Sequence, residues 1–190
     1  MNEGIFPGFS AGRPVELYLP EIIHEETLQA SGAFDIRDIP QVYAKFELEM
    51  QLRSSVAATL DVTRLFFNND TVATNYGTEI CIYQNATTNF STQSFPSIGD
   101  VPAASSEANS FGQIHCTILN PADARLKTYH SQSYTRESSS GTLLVTAFGN
   151  WENTAPITRI QIRTDNHPTD LFVTGSMVRL IGWRRFRLQP

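Results

Sequence analysis

The stretch Val42-Tyr43-Ala44-Lys45-Phe46-Glu47-Leu48-Glu49-Met50-Gln51-Leu52-Arg53 decides the fold class. Val42, Ala44, Phe46, Leu48, Met50 and Leu52 alternate with Tyr43, Lys45, Glu47, Glu49, Gln51 and Arg53, so the apolar period is two residues. Period two belongs to a strand with one buried face and one wet face. A helix would mix Lys45, Glu49 and Arg53 with the same-face neighbours of Phe46 and Met50. A half-solvated strand of this kind belongs to an antiparallel sheet, since parallel strands are buried on both sides and read as continuous apolar runs.

Working outward, further strand candidates cover 26–31, 62–67, 79–83, 112–119, 126–133, 142–151, 157–163 and 177–183. Polar turns at 68–70, 96–107, 120–121, 137–141 and 164–169 separate them. About nine strands without a helix predict an all-β protein, an antiparallel, jelly-roll-like β-sandwich with extended N- and C-terminal arms. The expected organisation is an extended arm over 1–24, a sandwich over 25–183 and a basic tail over 184–190. The stretch 85–109 is polar and poor in strand formers, and is expected to be a surface excursion.

Composition agrees. Of 190 residues only 17% are charged, while 16 Ser and 19 Thr supply polarity, which disfavours long helices and coiled coils. The net charge is −5. An acidic chain is not a general nucleic-acid binder. No run approaches the roughly 20 apolar residues of a membrane helix, and Met1-Asn2-Glu3-Gly4 does not read as an export signal, so neither nucleic acid nor membrane is expected as a partner.

The ends carry the binding signal. The first segment interleaves Gly4, Pro7, Gly8, Gly12 and Pro14 with Ile5, Phe6, Phe9, Val15, Leu17 and Tyr18, which predicts an extended arm that docks on a surface. Four basic residues, Arg179, Arg184, Arg185 and Arg187, crowd the other end around Phe186. Ile5, Phe6, Phe9, Tyr18, Arg184, Arg185, Phe186 and Arg187 are the expected partner contacts. The chain shows no nucleophile elbow, phosphate loop or dinucleotide fingerprint. His24, His115, His130 and His167 form no metal-binding spacing, and Cys81 and Cys116 form no pair motif. The turn Asp165-Asn166-His167-Pro168-Thr169-Asp170 holds oxygens a calcium ion could use, but a strand connection uses the same residues. No catalytic residue, metal or cofactor is expected.

Four features in this order resemble a domain of tailed-bacteriophage virion structural proteins. They are Phe34 to Tyr43 followed by Leu52-Arg53-Ser54-Ser55 and Ala57 to Thr59; Leu65 to Thr71 with Asn75-Tyr76; Ala108 to Gly112 followed by Asn120 to Ala124 and Lys127; and Trp151, Ala155 to Ile160, Phe172 to Ser176 and Leu180-Ile181-Gly182. Asn69 stands where the family has glycine, Pro121-Ala122 where it has a tyrosine-containing turn, and Ile181 where it has a closing tyrosine. The resemblance implies a non-enzymatic capsid decoration (cement) protein, made in the host bacterial cytoplasm and carried on the virion capsid surface. It would bind the major capsid protein and assemble as a homotrimer. A tail-fibre or receptor-binding module recognising the host surface, with Tyr83, Phe90 and Phe95 as an aromatic platform, is the alternative.

Overall fold

The alternation over 42–53 is realised as a long strand whose Phe46, Leu48, Met50 and Leu52 are buried while Lys45, Glu47, Glu49 and Gln51 stay at the solvent side. The computed structural model describes residues 15–84, 87–136 and 141–188. Its strands are β1 (Val15–Thr27), β2 (Phe34–Ile36), β3 (Tyr43–Leu52), β4 (Leu60–Phe67), β5 (Tyr76–Gln84), β6 (Thr87–Gln93), β7 (Ser97–Pro102), β8 (Gly112–Leu119), β9 (Lys127–Arg136), β10 (Thr142–Trp151), β11 (Ile160–Thr164) and β12 (Met177–Leu188). Among the described residues the helical content is one 3-10 turn at Ala73–Asn75, and no helix is long and apolar enough to cross a membrane.

The strands form two antiparallel sheets, an eight-stranded one in the order β1-β12-β3-β8-β9-β10-β5-β6 and a four-stranded one in the order β2-β11-β4-β7. The fold is therefore an all-β sandwich. Phe46, Leu48, Ile114, Cys116, Ile118, Trp151, Val178 and Leu180 of the large sheet pack with Phe34, Ile36, Leu65, Phe67, Ile98, Ile160 and Ile162 of the small one. Full burial of each large side chain stabilises by about 1.5–3 kcal/mol. The other face of the large sheet has no layer over it among the described residues, and Leu119, Tyr134, Leu144 and Phe148 are exposed there.

Three sequence expectations shift. The alternation starts one residue out of phase: Val42 is exposed and Tyr43 is buried. The pairing of β12 with β3 steps from Trp183↔Lys45 to Arg184↔Tyr43, so Ala44 is the extra residue of a bulge that turns Tyr43 inward. The strand expected at 26–31 lies earlier, as β1, and runs straight through the boundary set at residue 24; β12 likewise runs through 184. The excursion expected at 85–109 contains β6 and β7, and β7 is buried in the small sheet.

Two local clasps explain motifs that the sequence presents as polar turns. Asn68 donates from Nδ2 to the Pro156 carbonyl (2.8 Å) and accepts at Oδ1 from the Thr158 and Arg159 amides (2.8 and 3.1 Å). Asp70 accepts from Trp151 Nε1, Asn75 Nδ2 and the Val72 amide (2.8, 2.8 and 3.1 Å), and its carbonyl accepts from the Tyr76 hydroxyl (3.0 Å). The segment 68–76 is thus tied to 151–159. Asn69 has φ +62°, a left-handed conformation that asparagine tolerates better than other side chains.

Candidate interaction surface

β1 and β12 pair from Thr27↔Met177 to Val15↔Leu188, with a bulge between Ile22 and His24. β3 flanks β12 only as far as Arg184. Beyond that point Leu17↔Phe186 and Tyr18↔Arg185 continue as a two-stranded ribbon with no third strand beside it among the described residues. The first and last of the described strands therefore build one element. Alternation puts Leu17, Leu19, Arg184 and Phe186 on one face of the ribbon and Tyr18 with Arg185 on the other. Leu17, Tyr18, Leu19 and Phe186 are between 40% and 52% exposed. A two-stranded ribbon is marginal by itself, so apolar side chains on both its faces leave it short of a partner surface.

The base of the ribbon is held by charge. Arg184 pairs with Glu21 (3.1 Å), and its guanidinium lies over the Tyr43 ring at 5.6 Å. Lys45 donates to Glu47 (2.7 Å) and sits 4.2 Å over the Trp183 ring, whose Nε1 also donates to Glu47 (2.7 Å). Burial pushes the Glu47 carboxyl up, but the hydrogen bonds from Lys45 and Trp183 outweigh it and hold the group below the usual carboxylate range. One strand turn further in, Arg179 bridges Glu25 (2.8 Å) and Glu49 (3.2 Å), and its hydrogen bond lowers the Glu25 pKa. Beside the ribbon, Tyr18, Lys45, Leu119, Asn120 and Trp183 line an open depression of about 470 Å³.

Of the expected contact residues, the structure brings together Tyr18, Arg184, Arg185 and Phe186. Arg187 lies in β12 opposite Glu16 by backbone register, and Ile5, Phe6 and Phe9 fall outside the described residues. Sequence reading missed Leu19 and Trp183 as members of this surface. The signal was present in 15–19, where Leu17 and Leu19 alternate with Glu16 and Tyr18, but Pro14 and Pro20 at either side point to an arm.

Several polar and aromatic side chains that could have suggested other sites are engaged structurally. Among the described residues no three His, Cys, Asp or Glu side chains converge to hold a metal ion. Asp165 is ion-paired with Arg64, and Asn166 donates to Asp170 (3.3 Å) within its own turn. His130 stacks on Phe148 with ring centres 6.3 Å apart, and His24 lies 3.2 Å from Glu26. Cys116 is fully buried, and burial pushes its thiol well above the usual range. Of the three aromatics expected to make a platform, Tyr83 and Phe90 share the outer face of the β5–β6 pair. Phe95 is drawn away to lie 4.0 Å under the Arg64 guanidinium. No family model, curated protein or solved structure matches the chain.

Proposed function

We propose that the protein is a non-enzymatic virion component, a capsid decoration protein that grips the major capsid protein of a tailed phage and assembles as a homotrimer. Two lines support the reading: the ordered motifs over 25–183 that resemble the phage structural family, and a ribbon that the first and last of the described strands build at the rim of a rigid sandwich. The ribbon carries most weight. Leu17, Leu19 and Phe186 are exposed on an element too thin to bury them itself. Seating them against a shell at about 25 cal/mol per Å² would supply several kcal/mol per copy. In a cyclic trimer each copy reuses the same contact around the axis.

The test is cosedimentation of purified chain with capsid shells stripped of it. The triple substitution Leu17→Glu, Leu19→Glu and Phe186→Glu is expected to abolish binding at least tenfold below saturation while thermal unfolding of the sandwich stays within a few degrees. Undiminished binding would refute the ribbon mechanism. The alternative, a host-recognition module, rests on Tyr83 and Phe90. It would be favoured if substitutions at those two positions removed attachment to host cells and left shell binding intact.

A further inference from the structure

The edge of a sheet offers unpaired backbone N–H and C=O groups, and proteins blunt such edges with charge, proline, bulges, short strands or a covering element. The two sheets have four edges, and three are blunted. β1 carries Pro20, Glu21, Glu25 and Glu26 and is interrupted by its bulge. β2 is three residues long. The edge of β7 is covered from inside: Ser131 and Thr135 of β9 donate their hydroxyls to the Ile98 and Asp100 carbonyls (both 2.8 Å), and Ser133 accepts from the Asp100 amide (3.2 Å).

Among the described residues β6 has none of these devices. Its residues, Thr87-Thr88-Asn89-Phe90-Ser91-Thr92-Gln93, include no charge and no proline, and its register with β5 is unbroken over all seven pairs. None of the seven is buried, and Phe90 is 78% exposed. Ordering such a strand costs backbone entropy with only one ladder in return.

We propose that β6 is a two-fold seam between copies of this chain, in which β6 of one copy pairs antiparallel with β6 of a second and Phe90 sits on the axis. The order of side chains suits pairing with itself. With Phe90 facing Phe90 of the second copy, Asn89 meets Ser91, Thr88 meets Thr92 and Thr87 meets Gln93. No like charges meet, and aromatic and threonine pairs are among the favoured cross-strand neighbours. The contact is isologous, so two eight-stranded sheets join into one continuous sheet and both free edges disappear together. A foreign strand would fill the edge equally well by backbone bonding, but the uncharged self-pairing around Phe90, with Thr88 facing Thr92 and polar side chains facing polar ones, favours a second copy.

Size-exclusion chromatography with light scattering on the full chain tests this. Phe90→Lys and Phe90→Glu, each alone, place like charges across the axis and are expected to halve the mass of the unsubstituted protein, from six copies to three where the proposed trimer also forms, since the seam then joins two trimers. An equimolar mixture of the two variants is expected to regain the doubled mass, because opposite charges then face each other. Circular dichroism should show both variants folded, since the side chain they replace is exposed. An unsubstituted protein with the same mass as the variants overturns the seam, and so does a doubled mass that both variants retain or a mixture that fails to recover it. Amide exchange of β6 in the unsubstituted chain is an independent reading. Protection that rises with protein concentration supports the seam, and protection independent of concentration overturns it.

Discussion

Asp35 shows how much one side chain can tie together at the rim of the small sheet. Its carboxylate accepts two hydrogen bonds from Arg159 (both 2.6 Å) and two from Arg37, through Nε (2.9 Å) and Nη2 (2.5 Å). The Arg159 hydrogen bond is the main cause that lowers its pKa to about 2, against a smaller upward push from burial and with further help from Arg37. A carboxyl whose folded pKa is depressed stabilises the fold above its unfolded value near pH 4 and loses that contribution as pH falls toward 2. With its side chain 29% exposed, solvent screening leaves the contribution at about 1–2 kcal/mol. Asp35→Asn is expected to remove it, so urea midpoints of variant and parent should converge between pH 4 and pH 2; a constant gap across that range would contradict the assignment. The residue types here were legible in Phe34 to Tyr43, but the partner was not. Arg159 lies 124 positions away, and nothing in the local order of the chain selects it from the other arginines.

At the scale of elements, β7 depends on how closely β9 approaches it. Gly99 has φ +131°, and a Cβ there would collide with Ser133, so the glycine is required twice, for its backbone angle and for its space. Gly99→Ala is expected to cost more than about 2 kcal/mol in urea unfolding, and adding Ser133→Ala should recover only part, because the backbone angle stays unfavourable. Full recovery would show that the contact alone matters. The same approach explains the composition of β9, whose inward residues Lys127, Tyr129, Ser131, Ser133 and Thr135 are all polar and all buried. Ser131 and Thr135 donate to β7 backbone and Ser133 accepts from it, the Tyr129 hydroxyl meets Thr78 (2.8 Å), and Lys127 donates to the Asp123 and Arg125 carbonyls (both 2.6 Å). A pattern scan for apolar alternation underrates such a strand. β7 itself was hidden for a related reason, since Ser97 to Pro102 contains glycine, aspartate and proline that elsewhere mark turns.

Across the whole molecule, stability and the proposed docking are set in different places. The body buries its apolar residues between two layers, whereas the ribbon beyond Arg184 rests on one ladder. Hydrogen exchange of the free protein is expected to protect Val178 and Leu180 at close to the global stability and to leave Leu17, Tyr18 and Phe186 faster by at least a hundredfold. Equal protection along β12 would mean that the ribbon is already covered. Under the proposed capsid role, adding shells should shrink the difference.

The amino-acid order alone determined the all-β class, because a two-residue apolar period leaves a half-buried strand as the one regular structure that separates Phe46, Leu48 and Met50 from Lys45, Glu47 and Glu49. It also placed an apolar, basic signal at the two ends. Tertiary structure decided that β1 and β12 pair with each other, that Tyr43 turns inward at a bulge, and that β9 seals one sheet edge while β6, among the described residues, leaves another open. Those outcomes depend on backbone hydrogen bonds between segments far apart in the chain, and backbone groups are the same in every residue but proline, so side-chain order cannot announce which ones will meet.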